Sequence, residues 1–342
     1  MKRWLLLLTI LILFAGSWAM FATIPLHVIG QPTSTGVLQQ VMEEPFFAGL
    51  AEATGLPFKV TYQPVNAIGL KDTHQLQQLQ EGRFDLVSLR FIQNSEAEPS
   101  LQGIDLVGLI ADYDTARRVV DHYADTVDRY LRETFDAKLL GVWAFGPQMI
   151  YCRGPIQGIA DLAGLKVRVA STSMATLIAA LGGTPAIIAF DDTRNALAIG
   201  LVDCAITSVA SARFAGWLDY SRYYYPLAVH FGLNGYAISL KKWRQLSAKE
   251  QEILQGTFDA YLDDLWRFSE ETHQDAANCI IGRPCGNGAP YQLTLVEPSP
   301  EDARIFKETA RAQVQPEWAA KCEQVHPGCR QEWEEKVLPQ LP

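Results

Sequence analysis

An arginine inside an apolar strand pattern is the residue of this sequence best suited to bind a ligand. Apolar residues alternate with Lys166 and Arg168 over 165–169, which is the period-2 pattern of a half-buried strand, and the small polar run 171–173 follows. An arginine at the end of such a strand can direct its planar guanidinium into a cleft and bind a carboxylate through two parallel hydrogen bonds. The alternative is an edge-strand arginine paired with a surface acid.

The elements predicted around this arginine place it at the edge of a sheet where ligands bind. After the arginine strand, the pattern predicts a helix, a strand, a second helix and a third strand at residues 174–181, 186–190, 194–199 and 201–206. This order is typical of an α/β unit with a mostly parallel sheet. In open sheets of this kind ligands bind beyond the carboxyl ends of the strands, where Arg168, Phe190 and Thr207 lie.

A similar α/β unit is predicted in the first part of the chain, with strands at 26–29, 58–62 and 84–88. Gln31 lies in the polar loop after the first of these strands, and Arg90 lies just past the third. Both positions are at carboxyl ends of strands, so both are candidate ligand contacts. The alternative for Arg90 is a solvated loop arginine.

Three stretches of the second unit carry a family resemblance. The run Asp161-Leu-Ala-Gly-Leu-Lys-Val-Arg168, then Leu181-Gly-Gly-Thr-Pro185, then Phe190 and the run 196–203 resemble the solute-binding proteins of tripartite ATP-independent periplasmic (TRAP) transporters. The resemblance covers nearly all of the chain after the first two dozen residues. It implies an α/β, two-lobed periplasmic binding protein fold with mostly parallel sheets and a long bracing helix.

The resemblance also implies roles for individual residues. Arg168 would bind the carboxylate of the ligand, Thr207 would lie beside the ligand, and Phe190 would line the pocket or belong to the core. Some relatives carry a second arginine about twenty residues before the strand arginine, where this chain has Gln148. We expect the second positive charge at Arg90 on the other lobe, which favours a ligand with a second anionic or strongly accepting group, such as a dicarboxylate, keto acid or hydroxy acid.

Motifs for catalysis are absent from the sequence. It contains no Gly-x-Ser-x-Gly elbow, phosphate loop or three-glycine dinucleotide fingerprint, and its six histidines lack metal-ligand spacing. The adjacent acids Asp191 and Asp192 are better explained as helix N-caps. We therefore expect no catalytic residue, cofactor or metal, and a small organic acid as the ligand. The alternatives are a secreted enzyme or a ligand-sensing module on the same architecture.

Composition and the N-terminus bear on the compartment. A net charge of −9 over 342 residues disfavours nucleic acid as a partner. A basic start, an apolar run and small residues before Ala19 predict a cleaved signal peptide at residues 1–19, with cleavage after Ala22 or an uncleaved anchor as alternatives. We expect a monomer in the periplasm that delivers its ligand to TRAP-type membrane permease subunits.

The six cysteines predict disulfides, and the order of elements predicts the lobe boundaries. Short loops favour disulfides Cys279–Cys285 and Cys322–Cys329, whereas Cys152 and Cys204 form either a third pair or two buried thiols. The predicted lobes are residues 23–144 with 235–342, and residues 145–234. A long helical region from 241 to about 277 carries a Ser247-x-x-Glu250 capping box and belongs to the first lobe.

Overall fold

The computed structural model describes residues 23–286 and 290–342, so the predicted signal peptide lies outside the described residues. The strands, in chain order, are β1 (Ile24–Gly30), β2 (Phe58–Pro64), β3 (Leu86–Arg90), β4 (Ala137–Ala144), β5 (Gln148–Cys152), β6 (Lys166–Val169), β7 (Thr184–Ile187), β8 (Cys204–Ser208), β9 (Tyr223–Tyr225), β10 (Leu233–Ser239) and β11 (Thr294–Leu295).

The α-helices are α1 (Glu44–Thr54), α2 (Gln75–Gln80), α3 (Phe91–Asn94), α4 (Ser100–Gly103), α5 (Tyr113–Phe135), α6 (Thr172–Ala180), α7 (Phe190–Ala198), α8 (Val209–Phe214), α9 (Leu240–Trp243), α10 (Ala248–Ile280), α11 (Pro300–Thr309), α12 (Gln315–Val325) and α13 (Cys329–Lys336). A π-helical turn, Leu38–Glu43, leads into α1, and a 3-10 turn, Asp72–His74, leads into α2.

The strands form two mixed sheets. The first has the order β2-β1-β3-β10-β4, and the second has the order β11-β9-β5-β8-β6-β7. In the first sheet β1 runs parallel to β2 and β3, while β10 runs antiparallel to β3 and β4. In the second, β6 runs parallel to β7 and β8, while β5 runs antiparallel to β8 and β9. The predicted two-lobed α/β class is confirmed. All four antiparallel pairs among the described residues involve β5 or β10.

In the described residues the chain passes between the sheets three times, and the first two passages, from β4 to β5 and from β9 to β10, form a pair of crossings. The chain leaves the first sheet after β4 and returns through β10, which pairs with β4. The crossing segments lie side by side, because the Phe145 amide donates to the Gly232 carbonyl over 3.0 Å. Strand β11, from the C-terminal part of the chain, pairs with β9 at the edge of the second sheet.

The long helix α10 begins at the predicted capping box. The Ser247 hydroxyl accepts from the Glu250 amide over 3.3 Å, and the Glu250 carboxylate accepts from the Ser247 amide over 2.7 Å. The helix runs for 33 residues and packs on both β4 and α8. It therefore braces both lobes, as predicted.

All six cysteines are paired. Cys279–Cys285 and Cys322–Cys329 confirm the two predicted disulfides. Cys152 and Cys204 form the third pair, because they lie directly opposite each other on β5 and β8 with their Cα atoms 4.1 Å apart. The alternative of two buried thiols is excluded.

The C-terminal helices contact both lobes. The Trp318 indole donates to the Pro99 carbonyl over 2.8 Å. From the neighbouring position of the same helix, the Glu317 carboxylate accepts from the Thr176 hydroxyl of α6 over 2.7 Å. The tail thus connects the two lobes at a place distant in sequence from the crossings.

Candidate functional site

A small cavity of about 40 Å³ lies between the two sheets. Five of the six predicted ligand contacts line it: Arg90, Gln148, Arg168, Phe190 and Thr207. Strand ends supply most of these side chains, since β3, β6 and β8 all direct their carboxyl ends to this place. The rule that open α/β sheets bind ligands at such ends therefore locates the cavity correctly.

Arg168 is a buried cation held by neutral groups. Its side chain donates from Nε to the Ile188 carbonyl over 2.9 Å and from Nη1 to the Ile206 carbonyl over 3.0 Å, and only 4% of the residue is exposed. The guanidinium carbon lies 5.1 Å from the centroid of the buried Trp217 ring. These contacts fix its orientation without neutralising its charge.

Its electrostatic environment favours an incoming anion. Burial, and secondly the Arg90 guanidinium, lower the pKa of Arg168 to about 9, which leaves it charged at neutral pH. Across residues 23–286 and 290–342 no carboxylate forms an ion pair with Arg168. A buried charge is costly without a partner, so the site gains free energy by binding a carboxylate there.

Arg90 is equally buried but carries a partner. Its Nη1 donates to the Asp72 carboxylate over 2.7 Å, and the residue is 7% exposed, which excludes the solvated-loop alternative. Its backbone amide donates to the Gln75 side chain over 2.9 Å. Its Nε is buried and has no acceptor among the residues described. Arg90 therefore lines the cavity as a neutralised ion pair whose buried Nε–H is unused.

Gln148 and Thr207 lie on neighbouring strands of the second sheet. The Gln148 amide nitrogen donates to the Gly146 carbonyl over 2.8 Å, at the first crossing. Thr207 is opposite Met149 in the pairing of β5 with β8 and is 4% exposed. Both side chains are therefore held close to the point where the chain passes between the lobes.

Phe190 packs against Trp217, the ring that contacts the Arg168 guanidinium. Phe190 is the last residue of the predicted strand 186–190 but begins helix α7 in the structure, and its ring centroid lies 4.9 Å from that of Trp217. Since Trp217 also lies beneath Arg168, the two rings and the guanidinium form one layered wall. Phe190 thus both lines the cavity and packs against the core.

Gln31 does not line this cavity. Its residue is fully buried, and its side-chain nitrogen donates to the Ser88 hydroxyl over 3.0 Å. Its backbone amide donates to the Glu43 carboxylate over 2.7 Å. The loop after β1 therefore turns Gln31 into the interior of the first lobe.

Three polar residues at the cavity have no clear signal in the sequence. His230 and Asn234 line the cavity, and Asp105 contacts the His230 ring nitrogen Nδ1 over 3.0 Å. The same carboxylate accepts from the amides of Phe231 and Leu233 over 2.7 and 2.9 Å. Asp105 thereby fixes the second crossing segment, and its sequence separation of 125 residues from His230 conceals the pairing.

Glycines permit the crossings to turn beside the cavity. Gly146 and Gly232 have φ of 93° and 68°, in the left-handed region that favours glycine. A Cβ at Gly232 would lie 2.6 Å from the Gln148 amide nitrogen. The cavity wall and the connection between the lobes are therefore the same piece of chain.

A larger cleft of about 1050 Å³ lies elsewhere and is a poorer candidate. Its lining includes Phe214, Phe268 and Tyr291, and its one lining arginine, Arg213, is accompanied by Glu271 and Asp275. None of the described residues that line it is a buried, unpaired cation like Arg168 in the smaller cavity.

The described residues contain neither a cluster of metal-ligating side chains nor a helix that could span a membrane. Within 23–286 and 290–342, His, Cys, Asp and Glu form no group of three or more able to hold a metal ion. In the same part of the chain, no helix has both the length and the apolar character to cross a membrane.

The fold and the cavity define a two-lobed ligand-binding protein. Residues 31–321 match the family model described as bacterial extracellular solute-binding protein, family 7, and the chain belongs to that family. The resemblance to TRAP solute-binding proteins is thereby confirmed.

A curated relative and several solved structures are similar to this chain. The sialic acid-binding periplasmic protein of Vibrio cholerae is 23% identical over 232 residues, which is 66% of this chain and 71% of that protein. A Bordetella pertussis extracytoplasmic solute receptor binding pyroglutamic acid has a TM-score of 0.78 at 16% identity, covering 92% of this chain and 99% of its own.

Two further structures are TRAP periplasmic solute-binding proteins. The protein of Desulfovibrio salexigens, with bound orotic acid, has a TM-score of 0.80 at 15% identity, covering 93% of this chain and 100% of its own. The protein of Rhodoferax ferrireducens, with bound malonate, has a TM-score of 0.75 at 16% identity, covering 92% and 99%. At these identities the likeness establishes the fold.

Proposed function

We propose that this protein captures a small organic acid in the cavity at Arg168 and delivers it to a TRAP-type membrane permease. The single observation that carries the proposal is a buried guanidinium, 4% exposed, held by two carbonyls and stacked near Trp217, with no counter-ion among the described residues. A carboxylate would complete its hydrogen bonds and neutralise its charge.

Ligands of structurally similar proteins support an acid of this size. Pyroglutamic acid, orotic acid and malonate are all small carboxylic acids. At about 40 Å³ the cavity is close to the volume of one water molecule, so in this proposal the lobes open to admit the acid and then close around it. In this proposal Thr207, Gln148, Phe190 and Arg90 contact the ligand around its carboxylate.

The proposal includes a mode of action. Residues 1–19 direct export, and the mature protein works as a monomer in the periplasm without catalysis or cofactor. Lobes formed by 23–144 with most of 235–342, and by 145–234 with strand β11, close about the ligand at the crossings beside Gly146 and Gly232. Closure removes the ligand from water, which strengthens the arginine–carboxylate interaction.

Mass spectrometry of small molecules released from the denatured protein tests the proposal first. We expect an organic acid of about the size of pyroglutamic acid, and that acid should raise the melting temperature of ligand-free protein. Arg168→Ala should abolish both effects, while Arg213→Ala, in the larger cleft, should leave them unchanged. Binding of acids that is indifferent to Arg168→Ala, or no binding of any small acid, would refute the proposal.

A further inference from the structure

We propose that Asp72 sets the charge class of the ligand, so that the cavity selects singly charged acids with a neutral hydrogen-bonding group over dicarboxylates. This inference rests on the proposed function and narrows it. Asp72 lies in the 3-10 turn before α2, outside the cavity lining, and its carboxylate accepts from Arg90 Nη1 over 2.7 Å. The charge of Arg90, the second arginine of the cavity, is therefore neutralised by Asp72 before a ligand binds.

The sum of the charges around the cavity disfavours a doubly charged ligand. Arg168, Arg90 and His230 line it, with Asp72 behind Arg90 and Asp105 behind His230. The formal charges of Arg168, Arg90, Asp72 and Asp105 sum to zero. A dianion would therefore leave two buried negative charges without compensation, and a monoanion would leave one. Among the described residues that line the cavity, Arg168 is the cation without a carboxylate partner.

The amides that line the cavity favour a donor on the ligand. The nitrogens of Gln148 and Asn234 donate to the carbonyls of Gly146 and Gly232, each over 2.8 Å. Because a carbonyl only accepts, these bonds also fix which way each amide points. The side-chain oxygens have no donor among the described residues, so they are left to accept from a hydroxyl or N–H group. A second carboxylate has no proton to give them.

Arg90 contributes a complementary donor. Its Nε–H is buried and lacks an acceptor in the described chain. A neutral carbonyl on the ligand would satisfy it without adding charge. A carboxamide, lactam or similar group offers both the acceptor for Arg90 and the N–H for Gln148 or Asn234, and a carboxylate offers only the former.

Matched pairs of acids test the inference by titration calorimetry at pH 7.5. The probes are malonate with malonamate, succinate with succinamate, and glutarate with glutaramate, in which one carboxylate is replaced by a carboxamide of nearly equal size. For the wild-type protein we expect the half-amide of the best-binding pair to bind at least tenfold more tightly than the diacid. Equal or tighter binding of the diacid through Arg168 would overturn the inference and leave the proposed function standing.

Variants of Asp72 and Arg90 test whether this ion pair sets the preference for the half-amide. Asp72→Asn should free the charge of Arg90 and shift the preference at least tenfold towards the diacid, and Arg90→Gln added to Asp72→Asn should reverse that shift. Asp264→Asn, which removes an ion pair with Arg267 on the exposed face of α10, is the matched control and should leave the preference unchanged. An unchanged preference in folded Asp72→Asn would contradict the role of Asp72.

Two outcomes separate this inference from the proposed function. Absence of binding for every member of all three pairs would refute the proposed capture of a small acid, and the inference with it. If Asp72→Asn fails to fold, shown by loss of a cooperative melting transition, the wild-type preference decides alone. A preference for half-amides supports the inference, and a preference for diacids overturns it.

Discussion

Each lobe of this protein carries a buried arginine at or near the carboxyl end of a strand, but only one of the two has a counter-ion among the described residues. Arg90 of the first lobe is 7% exposed and pairs with Asp72, whereas Arg168 of the second lobe is 4% exposed and is held by two backbone carbonyls. Position and burial are alike, so they do not distinguish the roles. The difference lies in what the protein itself supplies as a partner, and it leaves Arg168 as the site for an anion.

A buried anion in the first lobe sharpens the contrast. Glu43 is fully buried and accepts from the Gln31 amide, the Tyr62 hydroxyl and the Tyr236 hydroxyl over 2.7, 2.8 and 3.0 Å. Burial raises the pKa of Glu43, although these hydrogen bonds oppose the effect. With three donors from the protein, this carboxylate has little left to offer a ligand, so we interpret it as structural.

Removing Arg168 should produce the largest effect. Arg168→Ala is expected to weaken binding of the co-purified acid by about 2–5 kcal/mol, because the carboxylate of the ligand would be buried without its partner. Calorimetry on variant and parent measures the loss, and circular dichroism checks that the fold is retained. An unchanged dissociation constant would assign the anion site elsewhere.

Replacing Arg168 by lysine should cause a smaller loss. Arg168→Lys keeps the charge but loses the planar fork, so we expect affinity about tenfold below the parent, a difference of about 1.4 kcal/mol. Arg90→Lys provides the comparison, since that residue uses one nitrogen for its ion pair. Full affinity in Arg168→Lys would mean that charge alone is recognised.

Removing Arg90 should cost less than removing Arg168. Arg90→Ala leaves the Asp72 carboxylate, whose side chain is 28% exposed, uncompensated near the cavity. We expect a loss of about 1 kcal/mol in binding of a monocarboxylate, the scale of a partly solvated charge interaction. Combining it with Asp72→Asn should recover most of that loss. A loss equal to that of Arg168→Ala would remove the distinction between the two arginines.

The smallest effect concerns stability and its pH dependence. Because the pKa of Glu43 is raised on folding, the folded state binds this proton more tightly than the unfolded state, and the contribution to stability declines as pH rises above the ordinary value of 4.5. Glu43→Gln carries no titrating proton at this position, so it should remove that decline.

Chemical denaturation of both proteins between pH 4.5 and pH 8 measures the difference, with the acid affinity as control. Parallel pH profiles for Glu43→Gln and parent would contradict the assignment of a raised pKa. A large change in acid affinity would instead mean that Glu43 takes part in binding.

The sequence predicts the positions of the arginines better than their partners. Alternating apolar residues and the order of strands and helices place Arg168 and Arg90 at strand ends, because periodicity and sheet topology act locally. The pairing of Arg90 with Asp72 depends on how the 3-10 turn before α2 packs on the end of β3, which periodicity does not encode. The predicted preference for a second anionic or strongly accepting group on the ligand was made without that partner, and it stays a prediction.

For other residues too, the sequence predicts the position along the chain better than the contacts of the side chain. Thr207 and Phe190 follow from the strand pattern and the family resemblance, although Phe190 begins a helix instead of ending a strand. Gln31 also follows a strand, yet it bonds to Ser88 inside the first lobe. The direction of a loop side chain is decided by tertiary hydrogen bonds, so position after a strand is insufficient to identify a residue that lines the cavity.

The disulfide between β5 and β8 has a consequence for the lifetime of the protein. Cys152 and Cys204 enclose β6, α6, β7 and α7, including the exposed turn at Gly182. A protease that cuts once anywhere between the two cysteines leaves the fragments covalently joined, with β5 still cross-linked to β8. A nicked molecule would migrate as one band on a gel without reductant and as two with it, and its disassembly in the cell would require reduction as well as proteolysis.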